Sequence, residues 1–244
     1  MDFLRKIIRI PLLLLWFVLC SLYGHLVNHG AKSSQRSLLL TLWWARLSAR
    51  IFNLKIKIAG DTDFQGGLIA ANHQGVLDIL VLAAVFKIRF APKAEMRKWP
   101  LFGFLAQCNQ PVWIDRSTPS KSKITAEAMS KTMQAGQTMM VFPEGTTSDG
   151  REGLLPFKST AFQAAIDSGK AVLPVIISYA PEIRSRVQWC GGEGFISHLW
   201  GLLGLKETGA TVYIMNSVSS EECKDRKELT ARVYDIMNKK WRSL

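Results

Sequence analysis

Cysteine is scarce in this sequence, and its cysteines stand far apart. The 244 residues contain four, Cys20, Cys108, Cys190 and Cys223. Zinc sites and disulfide frameworks show closely paired or regularly spaced cysteines. Neither is predicted here, and we interpret the four residues as small buried apolar side chains in a reducing compartment.

Acidic residues are also few. There are 19 Asp and Glu against 31 Lys and Arg, which gives a net charge of +12. Residues 1–60 hold nine basic residues and one acidic residue, so eight of the excess charges lie in the first quarter. Such an excess favours nucleic acid, anionic lipid or a phosphorylated substrate as partner. No recognised nucleic-acid-binding module is present, and the basic residues accompany apolar segments, which favours a membrane surface.

One long apolar run is present near the start. Residues Ile10 to Val27 are 18 uncharged residues, about the shortest length that crosses a bilayer. No small-residue cleavage site follows the run, so we do not expect removal as a signal peptide. The next segment, from Ser34 to Leu54, has apolar residues near helical spacing with arginines between them, which predicts an amphipathic helix.

These two segments are interpreted as membrane-associating helices, residues 1–54. Basic residues flank the apolar run on both sides, so the charge pattern gives no clear orientation. We favour a hydrophobic hairpin that enters one leaflet of an anionic membrane, with Trp43 and Trp44 at the headgroup level. A transmembrane span and a buried core helix are the alternatives.

Residues 55–244 are predicted as one α/β domain with a mixed, largely parallel sheet flanked by helices. Several strand candidates are continuously apolar, as expected for strands that are covered on both faces. The clearest helix is predicted from Pro119 to Ala135, with Thr118 as its N-cap. Further helices are predicted over Phe157 to Ser168 and from Glu221 to about Arg242. The strand candidates are KIKIAG, GLIAAN, IRFAP, QPVWID, TMMVFP, AVLPVIISYA and ATVYIM.

The segment NHQGVLD places polar residues at the junction of a predicted strand and a predicted helix. In open α/β sheets, this kind of junction is where ligands bind. His73 and Asp78 are five residues apart, so they meet only if His73 precedes the helix and its ring folds back, which Gly75 would permit. An ionised Asp78 would then fix the imidazole tautomer and leave the other nitrogen to accept a hydroxyl proton. A turn histidine and a first-turn acid are the alternative interpretation.

Three further segments follow predicted strands. In FPEGTTSDG, the residues Gly145, Thr146 and Thr147 offer backbone amides and hydroxyls suited to an anion or to acceptor hydroxyls, and Glu144 is placed to orient an acceptor. In PVWIDRS, Arg116 suits a bidentate contact with phosphate or carboxylate, although a surface ion pair with Asp115 is the simpler interpretation. The segment VLPV is interpreted as structural.

Together and in this order, the four segments resemble those of the glycerolipid acyltransferases, the family of the lysophosphatidic acid acyltransferases. NHQGVLD is similar to the family's His-x4-Asp motif, and VWIDR, FPEGTTS and VLPV are similar to its other three motifs. The connecting segments KAEMRKWPLFG and LLPFKSTAF are also similar, so the resemblance covers roughly Lys55 to Met215.

The resemblance implies acyl transfer from acyl-CoA or acyl-carrier protein to the free hydroxyl of a lysolipid, with no metal, no cofactor and no covalent acyl-enzyme. It implies that His73 is the general base, that Asp78 is its partner, and that Arg116, Glu144 and Gly145 contribute to acceptor binding. This agrees with the chemistry, because a thioester is already activated and only the alcohol needs deprotonation and positioning. The implied location is the cytoplasmic face of a bacterial inner membrane.

Thr147 departs from the family pattern. The branch that makes phosphatidic acid usually has arginine at this position, and the loss of that cation weakens the case for an acceptor phosphate. Lysophosphatidate is the first expectation for the acceptor, and a phosphate-free lyso-ornithine lipid, whose acyltransferases EGTTSDG also resembles, is the alternative. A thioester hydrolase and a noncatalytic lipid-binding protein are the other function classes.

Overall fold

A single six-stranded sheet forms the centre of the molecule. The computed structural model describes residues 2–30, 34–99, 103, 106–107, 110–115, 117–190 and 192–244. The spatial order of the strands is β1-β6-β5-β2-β4-β3, and every neighbouring pair is parallel except β5 and β6. The predicted mixed, largely parallel sheet is therefore confirmed. The strands are β1 (Leu54–Ala59), β2 (Leu68–Ala71), β3 (Ile88–Phe90), β4 (Thr138–Val141), β5 (Val172–Tyr179) and β6 (Thr208–Ile214).

Helices cover both faces of the sheet. Side chains alternate along β2, so Ile69 and Ala71 pack into one apolar layer while Leu68 and Ala70 pack into the other. This two-sided burial explains why the strand is continuously apolar. The helices are α1 (Asp2–Gly30), α2 (Ser34–Ile51), α3 (Leu77–Val85), α4 (Pro119–Gln134), α5 (Thr160–Ser168), α6 (Pro181–Val187), α7 (Phe195–Leu203) and α8 (Arg226–Arg242), and a 3₁₀ turn spans Ala94–Lys98.

Helices α4 and α8 each begin just after a residue whose side chain caps the first turn. The hydroxyl of Thr118 accepts the N–H of Lys121 at 3.3 Å, so α4 begins as predicted. Helix α8 begins five residues later than the predicted Glu221, because Asp225 accepts the N–H groups of Lys227 and Glu228 at 2.8 and 2.9 Å. Helix α5 begins at Thr160 rather than at Phe157.

The segment before α5 makes a tertiary hydrogen bond. The N–H of Lys158 donates to the carbonyl of Pro143 at 2.9 Å, which ties the segment before α5 to the loop after β4. Residues 154–158 form a non-helical connection, and the first helical hydrogen bond of α5 runs from Gln163 to the carbonyl of Ser159.

The segment QPVWID was predicted as a strand, and the structure corrects this. Within residues 110–115, Ile114 forms an isolated bridge to Lys93. The bridge itself is complete, because the N–H of Ile114 donates to Pro92 and its carbonyl accepts the N–H of Ala94. The N–H of Val112 donates to Phe90, but Pro92 has no N–H to donate to the carbonyl of Val112, so the ladder is interrupted there.

Helices α1 and α2 lie in contact, and the indole N–H of Trp16 donates to the carbonyl of Trp44 at 3.4 Å. Helix α2 buries Leu38 and Leu42 and exposes Leu39 and Trp43. The turn between the two helices, residues 31–33, lies outside the described residues. Among the residues described, no helix combines the length and the apolar content that crossing a bilayer requires.

Candidate active site

The imidazole of His73 meets Asp78 just before α3. Strand β2 ends at Ala71 and α3 begins at Leu77, so His73 lies on the intervening loop and not on the helix. Its Nδ1–H donates to Asp78 Oδ2 at 2.8 Å. The two side chains meet although they are five residues apart, because His73 precedes the helix, as the sequence analysis required.

Asp78 is fully buried, and protein donors surround its carboxylate. Oδ2 also accepts the N–H groups of Gln74 and Gly75 at 2.6 and 2.9 Å. Oδ1 accepts the hydroxyl of Tyr179 at 2.7 Å. Burial, and then the negative charge of Asp78, raise the pKa of Tyr179 well above its usual value, so this hydroxyl keeps its proton. Four donors therefore stabilise a charge that burial alone would make very costly.

Two contacts fix the ring of His73. Asp78 holds one edge, and the face stacks on Phe142 with ring centroids 3.8 Å apart and an interplanar angle of 7°. The side chain is 19% exposed. With Nδ1 protonated and bonded to Asp78, Nε2 is the nitrogen that can accept a proton.

The loop that carries His73 is tied to β5. The amide of Asn72 both donates to the carbonyl of Ile177 (3.1 Å) and accepts its N–H (2.7 Å), and Gln74 donates to the same carbonyl at 2.8 Å. A Cβ on Gly75 would overlap the carbonyl oxygen of Val187. Glycine is needed here because the two backbones approach closely, not because of an unusual φ.

Glu144, which follows β4, forms hydrogen bonds to the same loop. Its Oε1 accepts the N–H of His73 at 2.9 Å, and its Oε2 accepts the hydroxyl of Ser148 at 2.9 Å and the N–H of Leu155 at 3.0 Å. Burial raises the pKa of the Glu144 carboxyl, and these hydrogen bonds and the nearby His73 oppose that shift. Gly145, with φ of 74°, makes the turn that follows.

The remaining predicted acceptor residues lie in different settings. Thr146 is exposed, whereas the hydroxyl of Thr147 donates to the carbonyl of Trp189 at 2.6 Å. Arg116 lies outside the described residues. Its neighbour Asp115 pairs with Lys121 at 2.9 Å and also accepts bonds from Ser117, which together lower the pKa of Asp115 to about 2.

Sequence reasoning missed several residues that shape the site. Tyr179 is the last residue of β5, 101 positions from the carboxylate it contacts. The segment after α6 lies against the loop that carries His73, and the backbone N–H of Trp189 donates to the carbonyl of Gln74 at 2.8 Å. Gln188 bridges Gln74 and the carbonyl of Asp149. No local pattern marks these residues, since each acts through a contact distant in sequence.

Within the described parts of the chain, no group of three or more His, Cys, Asp or Glu side chains is placed to hold a metal ion. The chemical groups present at the site are an oriented imidazole, a buried carboxylate and a loop of backbone amides and hydroxyls. Such a set suits general base catalysis on a hydroxyl.

Comparison with known proteins identifies the family of the chain. The model of the family described as Acyltransferase matches residues 55–178. The chain therefore belongs to the Acyltransferase family, and it is an acyltransferase.

Two of the relatives are named for different lysolipids. A 1-acyl-sn-glycerol-3-phosphate acyltransferase of Neisseria gonorrhoeae is 30% identical over 95% of this chain and 91% of its own length. A lyso-ornithine lipid O-acyltransferase of Pseudomonas aeruginosa is 33% identical over 78% of this chain and 73% of its own length. The fold matches the crystal structure of the 1-acyl-sn-glycerophosphate acyltransferase of Thermotoga maritima with a TM-score of 0.72 and 16% identity, over 100% of this chain and 97% of that one.

Proposed function

We propose that this protein moves an acyl chain from acyl-CoA or acyl-carrier protein to the free hydroxyl of a lysolipid, with His73 as the general base. The observation that carries the proposal is the bond between His73 Nδ1 and the buried Asp78, because it leaves Nε2 as a proton acceptor.

The reaction is a direct displacement at the thioester carbonyl. The lysolipid hydroxyl gives its proton to His73 Nε2 while its oxygen bonds to the carbonyl carbon. The carbon–sulfur bond then breaks, and the imidazolium returns the proton to the leaving thiolate. Asp78 stabilises the imidazolium between these two steps. No cysteine or serine nucleophile and no acyl-enzyme takes part.

His73→Ala tests the assignment of the base. We expect turnover to fall by about a hundredfold or more, because a positioned general base contributes about that much. Thermal unfolding followed by circular dichroism serves as the folding control. Full turnover by a folded His73→Ala variant would remove His73 from the mechanism.

Thioester consumption with and without acceptor separates transfer from hydrolysis. A transferase consumes acyl-CoA rapidly only when a lysolipid is present, whereas a hydrolase that activates water releases free fatty acid without one. Rapid acceptor-independent release would replace the transferase proposal by the hydrolase.

Lysophosphatidate is the acceptor we propose first, since the Neisseria relative that acts on 1-acyl-sn-glycerol-3-phosphate matches the chain over nearly its whole length. The product is then phosphatidic acid. In this proposal the acceptor contacts Arg116, Thr146 and the backbone at Gly145. Glu144 holds the loop in place instead of binding the acceptor, because both of its carboxylate oxygens already accept protein hydrogen bonds.

A lyso-ornithine lipid is the second candidate, and Thr147 favours it. Thr147 brings no positive charge, and its hydroxyl is already bonded to the carbonyl of Trp189. An acceptor without phosphate does not need a cation at this position. Purified protein with one acyl donor and a panel of lysolipids, with and without phosphate, distinguishes the two when products are identified by mass spectrometry.

Membrane association through α1 and α2, as a hydrophobic hairpin in the cytoplasmic leaflet of the bacterial inner membrane, completes the proposal. Its support is the set of exposed apolar side chains along α1, which water solvates poorly. These are Phe3, Leu4, Ile7, Ile8, Leu12, Leu14, Leu15, Val18, Leu19 and Leu22.

A further inference from the structure

Helix α7 has apolar side chains that are exposed instead of packing against the rest of the domain. The helix FISHLWGLL has no Lys, Arg, Asp or Glu. It buries His198, Leu202 and Leu203, yet Ile196 is 73% exposed and Trp200 is 47% exposed. These two residues are four positions apart and therefore lie on one side of the helix, one turn from each other.

Aromatic residues extend this face toward the active site. The ring of Trp99 lies edge-on to Phe195 with centroids 5.7 Å apart, and Trp189 contacts Phe195 in the same way at 5.6 Å. Trp189 in turn belongs to the segment that hydrogen-bonds to the loop of His73. We name Trp99, Phe195, Ile196 and Trp200 the α7 patch.

Helix α1 is attached to the other end of α7. The guanidinium of Arg5 donates to the carbonyl of Gly204 at 2.7 Å. Arg9, which is buried, donates to the carbonyls of Leu203 and Leu205 at 2.9 and 2.6 Å. These two cations therefore bind the last carbonyl of α7 and the two carbonyls that follow it, near the negative end of the helix dipole.

The α7 patch is continuous with α1. The ammonium of Lys6 lies 4.7 Å from the ring of Trp200, a cation–π contact that joins the two surfaces. Basic residues lie beside the patch, since Arg97 and Lys98 directly precede Trp99 and are exposed, and Arg186 contacts the carbonyl of Gly201. One exposed acid, Glu193, also lies here and bonds to Ser197 of α7. An apolar and aromatic centre with a basic rim matches the interface of an anionic bilayer.

We propose that the α7 patch is a second membrane-contact surface, which inserts into an anionic bilayer beside α1. Trp99 and Trp200 lie at the headgroup level, where tryptophan is favoured, and Ile196 enters the acyl region. Contact with the membrane through both α1 and the α7 patch fixes the orientation of the catalytic domain. The loop of His73 then faces the leaflet from which a lysolipid is drawn. The inference rests on the proposed membrane association of α1.

The double variant Ile196→Glu, Trp200→Glu tests this surface. Its partitioning is measured by cosedimentation with vesicles of phosphatidylcholine that contain phosphatidylglycerol. We expect partitioning about tenfold weaker or more, because two apolar side chains no longer leave water. The matched control is Ile124→Glu on α4, where an isoleucine is 64% exposed on a helix that covers the opposite face of the sheet. This control should partition like the wild type.

Two further measurements distinguish failure of this inference from failure of the proposed function. Leu15→Glu, Val18→Glu tests α1 alone, and if this variant loses binding while the α7 double variant keeps it, the α7 patch is not a membrane contact. A water-soluble short-chain lysolipid tests the chemistry, and the α7 double variant should turn it over at the wild-type rate. Loss of that activity would show that α7 serves the active site rather than the membrane, and would overturn the inference.

Hydrogen exchange of the wild-type protein provides an independent measurement. Amides of residues 195–203 should exchange more slowly when vesicles are added, whereas those of α4 should not change. Equal exchange in α7 with and without vesicles, or slow exchange caused by self-association without lipid, would overturn the inference.

Discussion

At the scale of single residues, the site depends on the buried carboxylate of Asp78, which protein groups stabilise by hydrogen bonds. Asp78 accepts bonds from His73, two backbone N–H groups and Tyr179, whose hydroxyl lies 2.7 Å from Oδ1. Tyr179 does not touch the reacting atoms in the proposed mechanism. It is a positioning residue, because it fixes the carboxylate that orients the imidazole.

Replacing Tyr179 by phenylalanine should lower kcat by about tenfold and leave KM for the acceptor nearly unchanged. A hydrogen bond to a charged group contributes about 1.5–3 kcal/mol, and tenfold in rate corresponds to about 1.4 kcal/mol. Steady-state kinetics on a soluble lysolipid measures the effect.

Tyr234→Phe is the matched control for Tyr179→Phe. The hydroxyl of Tyr234 donates to the carbonyl of Leu154 at 3.0 Å, so this variant also loses one hydrogen bond. Its kcat should equal that of the wild type. Equal kcat values for the two variants would contradict the positioning role of Tyr179.

At the scale of elements, the basic residues near the start of the chain have a structural task as well as a proposed electrostatic one. Arg5 and Arg9 bind the last carbonyl of α7 and the two that follow it. Burial, followed by the charge of Arg5, lowers the pKa of Arg9. From the sequence these residues were interpreted only as a basic flank of an apolar run. Helix α1 is thus attached to the α/β domain by specific bonds and not only by apolar contact.

Arg9→Gln should reduce the free energy of unfolding by about 1.5–3 kcal/mol, because it removes hydrogen bonds from a charged donor to two carbonyls. Urea denaturation gives the value. Arg36→Gln on α2 removes an exposed arginine and should change stability by less than about 0.5 kcal/mol. If Arg9→Gln is as stable as this control, the hydrogen bonds of Arg9 do not contribute measurably to the free energy of unfolding.

At the scale of the whole molecule, positive charge and exposed apolar surface occur together. The net charge is +12, and the exposed apolar residues of α1 and of the α7 patch are joined where Lys6 meets Trp200. Charge attracts the protein to an anionic surface over a distance set by salt, whereas apolar contact acts only after insertion. The two contributions are therefore separable.

Binding to anionic vesicles should weaken as salt is raised from about 0.1 M to about 1 M, because the screening length falls from about 10 Å to about 3 Å. A residual affinity should persist, since high salt does not remove apolar burial. Cosedimentation with vesicles of phosphatidylcholine alone should show little salt dependence. An equal loss of binding on both kinds of vesicle would indicate that charge does not contribute.

Much of the fold was predictable because its signals are local. The apolar runs of β2 and β5, the Thr118 cap of α4 and the positive-φ Gly169 that ends α5 each act within a few residues. The errors were of two kinds: the start of α8 was missed because of the local cap at Asp225, and the other two concern segments that bond to parts of the chain further away. The segment before α5 is not helical and is bonded to Pro143 through Lys158, and Pro92 has no N–H with which to continue a ladder with QPVWID.

The sequence alone determined which residues are the candidates for the chemistry. His73, Asp78 and Glu144 stand where apolar strands end, and parallel strands bring those ends to one edge of a sheet. The tertiary structure decided what each side chain contacts. Tyr179 and Trp189 reach the His73 loop from more than 100 residues away, and Thr147 bonds to a backbone carbonyl rather than standing free. The physical reason is that a hydrogen bond acts over about 3 Å in space, whatever the separation along the chain.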